Sequence, residues 1–134
     1  YRVYSVLGDG ELEEGQVWEA AMFAAHYKLS NLTAFVDFNG LQIDGDITKV
    51  MSPLPIDEKF KAFGWHVIVV DGHDLDALHA AVTEAKATID KPTMVIMNTV
   101  KGKGVQAMEG QAGWHGKAPL QEECDKFVAE LLEV

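Results

Sequence analysis

The residues with the types and spacing to do chemistry stand at two points of this sequence. Asp9 lies between Gly8 and Gly10, and Asn39 precedes Gly40 and Leu41. Each point closes an apolar run, Val3 to Leu7 in one case and Leu32 to Phe38 in the other. A helical pattern separates them, so the spacing predicts a β-α-β unit. Parallel strands joined by a right-handed crossover end at the same edge of a sheet, and ligands of such sheets bind at that edge. Asp9 and Asn39 would then meet. A helix beginning just past Gly10 would aim free N–H groups and its positive end at the same place. Gly8 and Gly10 would let the backbone approach closely. Such a site suits a diphosphate. A diphosphate beside Asp9 needs a cation between the two anions. A carboxylate, an amide oxygen and phosphate oxygens are hard ligands, the set expected for Mg²⁺ or Ca²⁺. The main-chain carbonyl of Leu41 can reach the same ion as the chain turns.

Three plainer readings compete. Gly-Asp-Gly by itself is a common turn. Asn39-Gly40, between apolar stretches, could close a type I′ hairpin. A dinucleotide site is the third, with Asp37 holding a ribose. It lacks the expected third glycine, and Glu11, Glu13 and Glu14 would crowd a metal-free pyrophosphate. A metal accommodates those acids better.

The elements that must position these residues alternate. Val3 to Leu7 is a short strand. Gly15 to Lys28 is a helix so apolar on all sides that it should pack against the sheet and a partner together. Thr33 to Phe38 is the second strand. Asn39 to Met51 is a Gly- and Asp-rich loop, and Pro55 to Phe63 a short helix. Trp65 to Val70, with an unbroken apolar run, has the pattern of a parallel strand covered on both faces. Asp74 is placed to cap the next helix, and Asp76 to sit in its first turn. Thr93 to Val100 is the fourth strand. A loop from Lys101 to Ala118 precedes an amphipathic helix that Pro119 is expected to open and that is expected to reach a natural stop at Leu131-Leu132-Glu133-Val134. Alternation of this kind argues for an α/β fold with a doubly wound, mostly parallel sheet flanked by helices.

At 134 residues, the chain is one domain or part of one. It opens on Tyr1 inside a strand-like run, so it is expected to be incomplete at the N-terminus. A net charge of −10 argues against nucleic-acid partners. No apolar run approaches the ~18 residues of a membrane helix. A single cysteine, Cys124, suits a reducing, cytoplasmic setting. The acidic balance reverses locally: between Lys101 and Lys117, Lys101, Lys103, Lys117 and His115 face one acid, Glu109.

Taken together, Gly8-Asp9-Gly10, a helix and Asn39 at the end of the next strand resemble the thiamine-diphosphate-binding motif. The stretch from Gly8 to Gly45, GDGELEEGQVWEAAMFAAHYKLSNLTAFVDFNGLQIDG, resembles transketolases closely. Val70-Asp71-Gly72-His73-Asp74, Thr99-Val100-Lys101-Gly102-Lys103-Gly104 and Trp114-His115-Gly116-Lys117-Ala118-Pro119 continue the resemblance in the expected order. It covers nearly the whole chain and implies that residues 1–134 are a partial diphosphate-binding domain. It further implies that Asp9, Asn39 and the Leu41 carbonyl hold Mg²⁺, and that the Gly10 amide touches the diphosphate. Gly8 and Glu11 are counted with that cofactor-binding turn, although Glu11 alone, like Glu13, reads as loop surface. Ile43 would lie under the bent cofactor. Glu14 would join a carboxylate network at a subunit interface. His115 would stand near the reacting carbon and the substrate. Lys101 and Lys117 would approach the diphosphate or the rim of the substrate channel.

The implied activity is transfer of a two-carbon ketol unit between sugar phosphates. The pyrimidine-binding half-site would come from a C-terminal subunit or further domains, in a homodimer or heterotetramer. Related thiamine-diphosphate enzymes, such as 1-deoxyxylulose-5-phosphate synthase and dihydroxyacetone synthase, or a non-catalytic cofactor module, are the alternatives. His73, Asp74, Asp76 and His79 look like a metal cluster, but capping explains them better. His26 and His66 read as packing or surface residues, and Lys103 carries no role.

Overall fold

The computed structural model describes residues 1–132, so Glu133 and Val134, the expected end of the last helix, lie outside the described residues. The chain runs through β1 (Val3–Gly8), a 3₁₀ turn (Gly10–Glu13), α1 (Gly15–His26), β2 (Leu32–Phe38), β3 (Leu41–Gln42), β4 (Gly45–Asp46) and α2 (Ile47–Val50). It continues with α3 (Ile56–Ala62), β5 (His66–Asp71), α4 (Leu75–Ala87), β6 (Thr93–Asn98), a second 3₁₀ turn (Ala112–Trp114) and α5 (Gln121–Leu132). The main sheet has four strands in the order β1-β2-β6-β5, all parallel.

One core fills the face under α1 and α3. Ala34 and Val36 of β2 and Met94 and Ile96 of β6 point into it, and Leu12, Ala21, Ala24, Ile56, Phe60 and Trp65 cover them. Small residues on α1 let the helix sit close, and aromatics fill the space beyond. Trp18 lies 5.2 Å from Phe60 and 5.7 Å from Phe63, and Phe60 lies 5.5 Å edge-on to Trp65. Both indoles need partners for their N–H groups. Trp65 donates to the Ala21 carbonyl at 2.9 Å, and Trp18 to the Leu12 carbonyl at 2.8 Å. The second bond ties α1 to the turn that follows Asp9. Ala81 and Ala85 of α4 are buried apart from that core, against the opposite face.

Four local features refine the reading of the sequence. First, β5 is not covered on both faces: it is an edge strand, with Val69 52% exposed. The chain passes over one strand position after β2, and β6 later fills the gap. It is therefore β6 whose Thr93, Met94, Val95 and Ile96 are all buried. Second, the sheet supplies only one side of the packing expected for α1. Met22, Phe23 and Tyr27 remain largely exposed, because the sheet covers a single stripe of the helix. Third, the loop from Asn39 to Met51 contains β3, β4 and α2, too short to leave a periodic signal. Fourth, the competing reading of Asn39-Gly40 as a hairpin turn falls away. Leu41 pairs with Asp46 and Gln42 with Gly45, so the hairpin turns at Ile43-Asp44.

Capping accounts for the His73 to His79 region. Asp74 Oδ1 accepts the N–H groups of Asp76 and Ala77 at 2.9 and 3.0 Å. The bend before it sits tightly on β6. A Cβ at Gly72 would collide with Thr99 Cγ2 and reach 2.9 Å from Met97 Cβ.

Thr93, 1% exposed, has a buried Oγ1 with no hydrogen-bond partner among the described residues. A buried hydroxyl left unpaired costs on the order of 1–3 kcal/mol. Thr93→Val keeps the shape and removes that cost. It should raise unfolding stability by about 1 kcal/mol, read as a higher urea midpoint at unchanged slope; a lower midpoint would show that the hydroxyl is satisfied.

Candidate functional site

The carboxyl ends of β1, β2 and β6 lie side by side. Gly8 is in register with Asp37, and Asp37 with Met97. Asp9 is one residue beyond that line and 2% exposed. Its main-chain N–H donates to the Asp37 carbonyl at 3.2 Å. Its carboxylate accepts the Gly10 N–H on Oδ1 at 2.9 Å and the Gly40 N–H on Oδ2 at 2.6 Å. The second contact joins the turn after β1 to the turn after β2, which carries Asn39.

Asn39 is held in an Asx turn. Its Oδ1 accepts the Leu41 N–H at 3.0 Å, and its Nδ2 donates to Asp37 Oδ2 at 3.4 Å. Asp37 also accepts the Thr99 hydroxyl, and the Thr99 N–H donates to the Phe38 carbonyl at 3.1 Å. Asp37 and Thr99 thus orient the Asn39 amide and attach the start of the Lys101 loop to the same edge. Neither role is announced by the sequence, where Asp37 is visible only as a ribose ligand and Thr99 only as part of a segment.

Electrostatically the edge is unusual. Burial pushes the Asp9 carboxyl above the ordinary carboxylate range, more than the Gly40 and Gly10 N–H groups pull it down, and the nearby Asp37 charge raises it further. Among the described residues no basic side chain forms an ion pair with Asp9. The remaining lone pairs of Asp9 and Asn39 Oδ1, with the Leu41 carbonyl, are oxygen donors suited to Mg²⁺ or Ca²⁺. A Cβ at Gly8 or Gly10 would meet only ordinary contacts, Glu11 Oε2 and Gln42 at 3.5 Å. The chain's own atoms therefore do not require glycine at either position. An anion resting on the backbone there would.

The other candidates are placed as follows. Glu11 Oε2 turns back to accept the Gly8 N–H at 2.6 Å, so the glutamate braces the turn. Glu13 takes the Gln42 side chain at 2.9 Å, which lays Gln42 over Gly10, a neighbour the sequence does not announce. Ile43 stands 72% exposed at the tip of the hairpin. Glu14 precedes α1 without capping it and, with Glu11 and Gln16, lines the mouth of an apolar cleft of about 340 Å³ between β1 and α1. Lys101 Nζ lies 3.2 Å from His115 Nδ1. Lys117 is drawn onto the Trp114 ring, 4.0 Å from its centroid. Lys103 pairs with Glu109 at 3.6 Å. The Ala112–Trp114 turn lies against β4, which brings His115 toward the hairpin.

A four-stranded parallel sheet flanked by helices, with Asp9 and Asn39 at neighbouring strand ends, places this chain among the α/β proteins. A family profile described as "Transketolase, thiamine diphosphate binding domain" matches residues 1–131. This chain belongs to that family. It is 47% identical over 130 residues to the 6-deoxy-6-sulfo-D-fructose transketolase subunit of a Clostridium species (strain MSTE9), covering 96% of this chain and 47% of that one. It is 41% identical over 133 residues to an apulose-4-phosphate transketolase subunit of Phocaeicola vulgatus, covering 99% and 47%. The crystal structure of transketolase from Campylobacter jejuni superposes with a TM-score of 0.89 at 32% identity, over 99% of this chain and 20% of that chain. The chain thus spans about half the length of the two subunits.

The state of Asp9 has a consequence for stability. Its folded-state pKa is raised, so the folded chain holds the proton to higher pH than the unfolded chain does. Its contribution is present below the unfolded value, about 3.9, and is lost as pH rises through the folded value. Metal-free wild type should therefore lose stability relative to Asp9→Asn across that window and hold a constant difference above it. Denaturant titrations of both at a series of pH values check this; the opposite slope would mean that the carboxylate is stabilised where it lies.

Proposed function

We propose that this chain is the metal- and diphosphate-binding part of a thiamine-diphosphate-dependent transketolase, one portion of its diphosphate-binding domain. The observation that carries the reading is Asp9: a buried carboxylate, hydrogen-bonded to the turns after β1 and β2, beside the Asn39 amide and paired with no basic side chain among the described residues. A divalent cation and a diphosphate together complete that arrangement, because the cation neutralises both anions.

In this reading Asp9, Asn39 Oδ1 and the Leu41 carbonyl hold Mg²⁺. Asp37, bonded to Thr99, keeps the Asn39 oxygen aimed at the ion. The Gly10 N–H and the open backbone at Gly8 receive the diphosphate. Glu11 fixes the turn through the Gly8 N–H rather than touching the anion. Ile43 supplies an apolar contact from the hairpin tip, and Lys117 stays at the rim, held by Trp114. His115 faces the substrate, and Glu14 contributes to an interface with the partner. The chemistry supplied by bound thiamine diphosphate is carriage of a two-carbon ketol unit from a ketose phosphate to an aldose phosphate. The pyrimidine-binding half comes from a second subunit or from further domains, in a homodimer or heterotetramer. The relatives named as transketolase subunits support that division of labour.

Two outcomes follow. Calorimetry on the assembled complex should show thiamine diphosphate binding that depends on Mg²⁺, and Asp9→Ala should weaken it by about 100-fold or more, ~3 kcal/mol; unchanged binding in Asp9→Ala would remove the metal site from the reading. Mixing xylulose 5-phosphate and ribose 5-phosphate with this chain alone should give no turnover, and supplying the complementary half should restore it. Robust activity of the chain by itself would contradict the shared site.

A further inference from the structure

The β3–β4 hairpin carries the Leu41 carbonyl, and its own ladder leaves that carbonyl out. The Ile47 N–H donates to the Gly40 carbonyl at 3.0 Å, and Leu41 stands opposite Asp46. Opposed residues of an antiparallel ladder alternate between bonded and non-bonded pairs, so Leu41 and Asp46 form a non-bonded pair. The Leu41 N–H agrees, since it leaves the ladder and donates to Asn39 Oδ1 at 3.0 Å. A strand residue turns its N–H and C=O to the same side, so the Leu41 carbonyl faces the edge where Asn39 and Asp9 lie. A hairpin with two residues in each strand cannot hold its own orientation. We propose that Glu13 and Gln42 are the positioning pair that supplies it: their hydrogen bond fastens the hairpin to the turn after Asp9 and keeps the Leu41 carbonyl at that edge, ready for a divalent cation. The cation rests on the transketolase reading; the pair itself does not.

Glu13 is firmly placed. It closes the 3₁₀ turn Gly10–Glu13, in which Leu12 is 1% exposed and gives its carbonyl to the Trp18 indole at 2.8 Å. Glu11 braces the start of the same turn through the Gly8 N–H. Gln42 reaches this turn from the hairpin, with its Nε2 2.9 Å from Glu13 Oε1. A carboxylate accepts and does not donate, so the Gln42 N–H must face Glu13. Its Oε1 then lies beside Gly10, 3.5 Å from where a Cβ would stand. An oxygen acceptor at that point does not attract an anion, so Gln42 is not itself a donor to the diphosphate. The Gly40 N–H on Asp9 Oδ2, at 2.6 Å, is a second fastening between hairpin and turn. The two bridges leave from Gly40 and Gln42, the residues on either side of Leu41. One bridge would let the hairpin pivot. Two of them, bracketing Leu41, fix the peptide plane that carries its carbonyl.

Calorimetry on the assembled complex tests the pair through the metal. In Gln42→Ala, the Mg²⁺ concentration that half-saturates thiamine diphosphate binding should rise about tenfold, while the dissociation constant of thiamine diphosphate at saturating Mg²⁺ stays within about twofold. Glu13→Ala should match it. Glu13→Gln keeps an acceptor and should recover most of the loss. Glu13→Ala combined with Gln42→Ala should lose no more than either alone, as expected for two residues acting as one unit. Unchanged Mg²⁺ dependence in both single variants, or losses that multiply, would overturn the proposal. So would a loss of thiamine diphosphate affinity that saturating Mg²⁺ does not reverse, which would put Gln42 on the anion. Amide hydrogen exchange on the ligand-free complex reads the pair without a cofactor. Both alanine variants should speed exchange at the Leu41 and Ile47 N–H groups by about fivefold and leave Val95 in β6 unchanged. Thiamine diphosphate binding that ignores Mg²⁺ in the wild type would count against the transketolase reading. The exchange rates would still decide the pair, since equal rates in wild type and variants would overturn it.

Discussion

A carboxylate buried without a counter-charge organises the front edge of this protein. Asp9 cannot rely on water to solvate its charge, because it is 2% exposed, so its oxygens must be satisfied by neighbours. Two backbone N–H groups do this, one from Gly10 and one from Gly40. The hydrogen bonds satisfy lone pairs but supply no full positive charge. The result is a pair of turns clamped together around a charge that the described residues leave uncompensated. A metal ion at that point would lower the cost of ionising Asp9 and would also tolerate an anionic ligand, which explains how an acidic protein can accept a diphosphate.

The rest of the fold keeps that clamp in place. Leu12, 1% exposed, anchors the turn after Asp9 in the core, and Trp18 grips its carbonyl. Trp18 in turn stacks in the aromatic group formed by Phe60, Phe63 and Trp65, so the turn is braced by helices from either side of the hairpin segment. The Thr99 hydroxyl on Asp37 links β6 to the orientation of Asn39. Through this chain of contacts, the position of one amide oxygen depends on residues as distant in sequence as Leu12 and Thr99. The glycine-rich loop beyond Thr99 has a separate support, α5. Phe127 packs on Trp114, and Glu130 accepts the Gln106 N–H at 2.7 Å.

Two apolar surfaces have no cover among the described residues. Tyr4 and Val6 of the edge strand β1 are 48% and 67% exposed, and α1 turns Met22, Phe23 and Tyr27 outward. Exposed apolar groups gathered in this way mark contact surfaces. The chain itself spans about half the length of its subunit relatives.

The strand–helix alternation and the neighbouring strand-end turns that carry Asp9 and Asn39 were legible in the sequence. These rest on local signals: apolar runs ended by glycine and a helical pattern between them, read through the general rule for parallel crossovers. Capping by Asp74 was legible for the same reason, since the acceptor and its N–H donors are two and three residues apart. The remaining features are set by contacts between distant segments. β5 and β6 carry similar apolar runs, and only the order of pairing makes one the edge and the other the centre. Two-residue strands β3 and β4 are too short for a period. The anchoring of Asn39 by Asp37 and Thr99, and the meeting of Lys101 with His115, depend on how loops fold back, which no spacing encodes. The raised pKa of Asp9 belongs with these, because desolvation is a property of the packed molecule and not of the residue.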